Sequence, residues 1–135
     1  MFTTSYITKA LQKFYHTKEN IHVYSGTNAK FYSESINRGR CFNWAFLAYK
    51  TYGGKLCSVK NYGGHAFVKI NGRYHDSETP RGVKDWRKLG IYKRKNQERV
   101  QKLGLTFMNE QTFIKYWKNM GNCPFIDIHK ELQND

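Results

Sequence analysis

Cys41, His65, Asp76 and Glu78 are the residues whose types and spacing could carry covalent chemistry in this chain. Cys41 follows Gly39-Arg40 and opens CFNWAFLAYKTY, a compact stretch that predicts a helix stopped by Gly53-Gly54. A helix N-terminus carries partial positive charge and backbone N–H groups that the helix itself does not use. Both favour the thiolate, the nucleophilic form of cysteine. The same N–H groups can stabilise the oxyanion of a tetrahedral intermediate. A cysteine at such a position is also often a small core hydrophobe, so the chemical reading requires a base.

The stretch GGHAFVKINGRYHDSE, residues 63–78, offers one. Asn71-Gly72 is the dipeptide that most readily forms a type I′ turn, so two short strands should pair around it. A two-residue turn sets Ile70 opposite Arg73, Phe67 opposite Asp76 and His65 opposite Glu78. Alternation then places His65, Phe67, Asp76 and Glu78 on one face, and His75 with Val68 and Ser77 on the other. His65 and Asp76 become diagonal neighbours, within reach of each other across the pair. A carboxylate bonded to one imidazole nitrogen fixes ring and tautomer and leaves the other nitrogen free to act as a base. Glu78 rivals Asp76 because it faces His65 directly, and His75 reads as structural. A strand histidine beside an acid also occurs as a plain polar pair; Cys41 is what turns the hairpin into half of a site.

The elements around these residues follow from periodicity. Residues 5–18 place Ile7, Leu11, Phe14 and Tyr15 at helical spacing, and IHVYS (21–25) alternates like a short strand. Residues 26–40 read as a polar loop. KLCSVK (55–60) and LGLTF (103–107) read as strands. NEQTFIKYWKNMG (109–121) predicts a helix with Asn109 as its N-cap, a Phe113, Ile114 and Trp117 stripe, and Gly121 as its stop. PFIDIH (124–129) reads as a final strand or an extended tail. No repeat or linker divides residues 1–135, so one domain is expected.

At this point GRCFNWAFLAYKTYGGKLCSV and GGHAFVKINGRYHDSETP resemble the core of transglutaminase-like cysteine enzymes within the wider papain-like superfamily. Cys41 opens a helix with Ala45 and Ala48 on its buried face, a strand follows, and His65-Ala66-Phe67 and Tyr74-His75-Asp76 come next in the family's order. The resemblance covers roughly residues 39–80. It implies Cys41 as nucleophile, His65 as general base and then acid, and Asp76 as the orienting carboxylate. It also implies an α+β fold in which the Cys-bearing helix packs on an antiparallel sheet of about four strands, with no cofactor or metal. Asn43, Trp44 and Asn28 are the candidates for a side-chain oxyanion donor. The continuation DSETPRGVKDW resembles small phage-encoded proteins of this type, which would place the work in a host cytoplasm.

Composition bounds the partners. Lys and Arg number 23 against 10 Asp and Glu, a formal net charge of +13 that attracts polyanions and acidic substrates alike. Ten Tyr, nine Phe and three Trp are too many for a disordered basic tail. Residues 81–102 hold nine Lys or Arg and two acids. There Trp86, Lys93, Arg94 and Lys95, with Trp44 elsewhere, are candidate substrate or nucleic-acid contacts through phosphate pairing and base stacking. The same charge also suits a solvated face. Three cysteines without CxxC spacing fit a reduced compartment and no zinc site. MFTTSYITKALQKFYH lacks a signal-peptide pattern, and no apolar run approaches membrane-spanning length, so a cytoplasmic protein without a membrane partner is expected.

The leading expectation is therefore a thiol-dependent acyl-transfer enzyme, a cysteine peptidase or amidase acting on a protein or peptide substrate. A basic nucleic-acid-binding protein, or an inactive papain-like fold used for binding, are the alternatives. Composition and motifs do not set the oligomeric state.

Overall fold

Helix α2 (Cys41–Tyr52) is buried along its first two thirds, from Cys41 to Ala48. An element apolar on all sides belongs inside the molecule, and the rest of the chain wraps it. The computed structural model describes residues 2–17, 36, 39–60, 64–120, 123 and 125–133. Within these the class is α+β, as expected: a four-stranded sheet and six α-helices.

Gly53 ends α2 with φ 82°, its N–H returning to the Tyr49 carbonyl at 2.8 Å. Gly54, at φ 96°, lies so close to the Lys69 carbonyl that a Cβ would not fit. This tight exit delivers the chain into β1 (Lys55–Lys60), then β2 (Ala66–Ile70) and β3 (Arg73–His75). Asn71 and Gly72 have φ of 52° and 78°, both left-handed as a type I′ turn requires. The register is Ile70 to Arg73, Lys69 to Tyr74 and Val68 to His75, as the sequence predicts. Strand β4 (Gly104–Met108) pairs antiparallel with the far edge of β1, giving the order β3-β2-β1-β4.

The sheet is covered on both faces. Leu56, Ala66, Val68 and Ile70 pack with α2, with α1 (Ser5–Thr17) and with a later helix α5 (Glu110–Lys118). Helix α1 buries Ile7, Leu11, Phe14 and Tyr15, the predicted stripe. Asn109 caps α5 by accepting the Thr112 N–H at 2.8 Å, and Phe113 stacks on Phe46 of α2 with ring centroids 6.1 Å apart. On the other face, Cys57, Val59, Phe67 and Tyr74 meet Trp86, Leu89, Tyr92 and Val100.

Those last four residues come from the basic segment, which folds as a 3₁₀ turn (Trp86–Lys88) and helices α3 (Gly90–Lys93) and α4 (Gln97–Gln101). Asp85 and Asn96 start the turn and α4 by accepting N–H groups at 3.0 and 3.1 Å. The apolar side chains face the sheet, while Lys88, Lys93, Lys95, Arg99 and Lys102 are exposed.

Two expectations need correction. The expected 124–129 strand or tail gives way to a helix where it is described: Ile128–Gln133 forms α6, started by Asp127, whose carboxylate accepts the Lys130 N–H at 3.0 Å. Alternation of apolar residues in PFIDIH masked this N-cap signal. Just before α2, Arg40 N–H donates to the Ile36 carbonyl at 2.8 Å, a helical turn rather than open loop. The expected 21–25 strand, most of the 26–40 loop and the Gly121 stop lie outside the described residues. Among the described residues, no helix is long and apolar enough to cross a membrane.

The Asn71 conformation yields a direct test. Asn71→Ala should lower unfolding free energy by about 1 kcal/mol, because only Gly and, less readily, Asn tolerate left-handed backbone. Asn71→Gly should lose far less, so similar losses for both variants in urea melts would show that the turn conformation does not matter.

Candidate active site

Cys41, at the N-terminus of α2, is 7% exposed and directs its thiol to the loop before β2, with Sγ 3.7 Å from the Gly64 carbonyl. Gly64 has φ 72°, and a Cβ there would strike the Met120 side chain. The glycine therefore lets the chain turn beneath Met120 and present the next residue, His65, to the thiol. Ser58 of β1 fixes that loop from below, its hydroxyl donating to the His65 carbonyl at 3.1 Å.

His65 is 4% exposed, and its Nε2 lies 3.0 Å from Oδ2 of Asp76, itself 1% exposed. Tyr92 of α3 meets the imidazole edge-on and Phe67 stacks beside it, at centroid distances of 5.9 and 5.8 Å. Nδ1 is buried with no hydrogen-bond partner among the described residues, and the Cys41 thiol is near enough to act on the ring. Burial opposes an imidazolium here. The hydrogen bonds to Asp76 and Cys41 and the charges of both outweigh it, and hold the His65 pKa up to about 10.

The rivalry between Asp76 and Glu78 is resolved by where each points. Asp76 Oδ2 takes His65, and Oδ1 accepts the Glu78 backbone N–H at 3.0 Å. The Glu78 carboxylate turns away to a two-pronged pairing with Arg94, at 2.8 and 3.0 Å. Strand β3 ends at His75, so Glu78 is no longer held opposite His65 as an extended ladder would hold it. Arg94 through Glu78, with Ser58 and Tyr92, are supports the sequence reading missed. Arg94 and Tyr92 lie beyond the motif along the chain and are brought in by the packing of α3 on the sheet, while Ser58, within the motif, is aimed by the pairing of β1 with β2.

His75 lies on the opposite face, as expected. Its Nδ1 is 3.2 Å from the Pro80 carbonyl and 3.4 Å from the Thr4 hydroxyl, and Phe2 packs edge-on against its ring. Burial lowers its pKa, with the Pro80 bond opposing, so a neutral imidazole ties the N-terminal segment to the 76–80 turn.

The candidate binding residues fare differently. Trp44 is 1% exposed, its indole N–H donating to the Thr8 hydroxyl at 3.0 Å, which locks α2 to α1. Trp86 is 4% exposed and capped by the Arg87 guanidinium 4.5 Å from its ring. Neither offers a face on which a base could stack, because both fill the core. Arg94 is committed to Glu78, whereas Lys93 and Lys95 are exposed. Of the oxyanion candidates, Asn43 binds the Ile126 carbonyl at 3.2 Å and Trp44 is engaged as above, while Asn28 lies outside the described residues. Neither described candidate therefore has its side chain free to act as an oxyanion donor.

The other two thiols are core residues. Cys57 lies under the second sheet face, where burial pushes it up to about 12. Cys123 lies against the first turn of α2, 3.5 Å from Asn43 Oδ1. Burial and the nearby Cys41 raise it to about 11, against N–H groups of Phe42 and Asn43 and the Arg40 charge. Among the described residues, no three His, Cys, Asp or Glu side chains gather as a metal site.

The raised His65 pKa has a sign that can be measured. A group whose folded pKa exceeds its unfolded value, here about 10 against 6.5, adds stability that is complete below pH 6.5 and lost as pH rises towards 10. The stability of the wild type relative to His65→Gln should thus fall across that window. A constant difference between the two, from pH 6 to 10 in urea melts, would mean His65 is not held charged.

Comparison of the chain with protein-family models, with curated proteins and with solved structures found no match, so what the chain does is argued from this geometry.

Proposed function

We propose that the chain is a thiol-dependent acyl-transfer enzyme, a cysteine peptidase or amidase in reaction type, built on a papain-like or transglutaminase-like core. The observation that carries this reading is the buried series Cys41, His65, Asp76. The thiol opens a helix and meets His65, and the 3.0 Å bond to Asp76 holds the other side of the imidazole. A structural polar pair needs only His65 and Asp76. A thiol near the same imidazole, at a helix N-terminus, is what nucleophilic catalysis adds.

The chemistry follows from these positions. Cys41 gives its proton to His65 and attacks the substrate carbonyl carbon as thiolate, forming the C–S bond and an oxyanion. The backbone N–H of Cys41, at the start of α2, is the donor nearest that oxyanion. His65 Nδ1 donates its proton to the leaving amine as the C–N bond breaks, giving the acyl-enzyme. Neutral His65 then takes a proton from water or an incoming amine, which attacks the thioester. Collapse of the second intermediate expels the Cys41 thiolate and releases acid or amide. Asp76 keeps the ring oriented and stabilises its positive charge throughout.

Iodoacetamide at about pH 6, with mass mapping of the alkylated cysteines, tests this without a known substrate. Cys41 should react at least about 100-fold faster than Cys57 or Cys123, whose thiols burial holds protonated. His65→Gln should slow Cys41 by about 100-fold, the lower range for losing an acid–base partner, and Asp76→Asn by about tenfold. Slow, equal labelling of all three cysteines would refute the enzyme reading.

A further inference from the structure

The residue before the nucleophile is the least expected at a helix start. Arg40 is the N-cap of α2, makes no side-chain capping bond, and is followed by no acidic residue in the first turn. A cation at the positive end of a helix macrodipole is unfavourable, and acids or neutral caps are the ordinary choice. Yet the guanidinium is held in place: one nitrogen donates to the Gly39 carbonyl at 2.9 Å, and the group lies 5.2 Å over the Tyr15 ring. Its Nε is buried with no partner, and among the described residues no carboxylate pairs with Arg40.

The charges around the site are otherwise matched. Asp76 answers His65 and Glu78 answers Arg94. Arg40 has no carboxylate partner among the described residues, and as the N-cap of α2 it directly precedes Cys41. On the other side of Cys41, His65 is 96% buried and its Nδ1 has no hydrogen-bond partner among the described residues.

We propose that Arg40 is a specificity residue that binds a carboxylate next to the reacting carbonyl, so that the site takes acidic acyl donors such as aspartyl- or glutamyl-bearing peptides. This rests on Cys41 being the nucleophile, and it assigns what that nucleophile attacks. The guanidinium presents N–H groups in a fork that suits a carboxylate. The exposed Lys93 and Lys95 would draw such substrates in at longer range.

Iodoacetate and iodoacetamide separate this role from simple activation of the thiol. Both reagents consume thiolate, so the ratio of their rates at Cys41 cancels the thiolate fraction and reports attraction for a carboxylate beside the reacting carbon. Relative to N-acetylcysteine amide, a thiol with no charge of its own, that ratio should rise by at least about threefold, the effect of one unit charge about 6 Å away under water-like screening. Arg40→Gln should return the ratio to the free-thiol value, Arg40→Lys should keep most of it, and 0.5 M NaCl should compress it in the wild type. A wild-type ratio equal to that of the free thiol, or one unchanged in Arg40→Gln, overturns the proposal. In both cases rapid reaction with iodoacetamide would leave the nucleophile assignment standing. Slow reaction with both reagents would overturn the nucleophile assignment and this inference together.

Discussion

The hydrogen bond between His65 and Asp76 exists in only one register of the β2–β3 hairpin. Side chains alternate along a strand, so a slip of one residue would send Asp76 to the face that holds Val68. His65 would then face the second core with no carboxylate beside it. The register depends in turn on a two-residue loop that needs two left-handed residues, which Asn71 and Gly72 supply. A dipeptide remote from the chemistry thus decides whether the imidazole has an orienting partner. Beyond the strand, the Glu78 N–H holds the second oxygen of Asp76, and Arg94 holds Glu78. The carboxylate is therefore fixed from both sides before any substrate arrives.

The Cys41 thiol is placed by a different force. Helix α2 is set by burial on all sides, so its axis and its N-terminus move only if the core is repacked. Trp44 bonded to Thr8 ties it to α1, and the Phe42 and Phe46 rings lock it against α5. Short connections then bring the histidine to it: Gly53 and Gly54 reverse the chain into β1, and Gly64 lets the next loop pass beneath Met120. Each of the three takes a backbone conformation or an approach that a Cβ would obstruct. Precision at the site comes from a rigid helix facing a rigid hairpin, with the adjustable pieces confined to glycines.

Much of this was legible because local rules and tertiary structure agree. The Asn-Gly turn, the apolar stripe of α1, the Asn109 cap and the helix opened by Cys41 are all short-range signals, and the structure keeps each of them. What was not legible depends on contacts between distant segments. Nothing local to Glu78 says that Arg94 will draw it away from His65. Nothing local to Trp44 or Trp86 separates a stacking platform from a core residue, since an indole beside lysines suits both. Asp127 was a readable N-cap signal, lost because PFIDIH also alternates. Cys123 could be counted as a thiol but not placed at the first turn of α2, which needs residues eighty apart in sequence to meet.

The basic segment bears most on the choice between an enzyme and a nucleic-acid binder. A single-strand binder pairs phosphate contacts with exposed aromatic faces. Here Trp86 and Tyr92 point inward and form an edge-to-face pair 5.2 Å apart over the sheet. The segment's aromatic residues are part of the second core, and Tyr92 is also a wall of the His65 pocket. Its charges are left outside with no stacking surface beside them. Such an arrangement attracts anions without reading bases, and it lies over the strands that carry His65 and Asp76. Positive charge around a buried thiol serves an acyl-transfer site in two ways: it favours the anionic nucleophile and it gathers acidic substrates. The one placement accounts for the composition and the site together, where a nucleic-acid reading accounts for the charge alone.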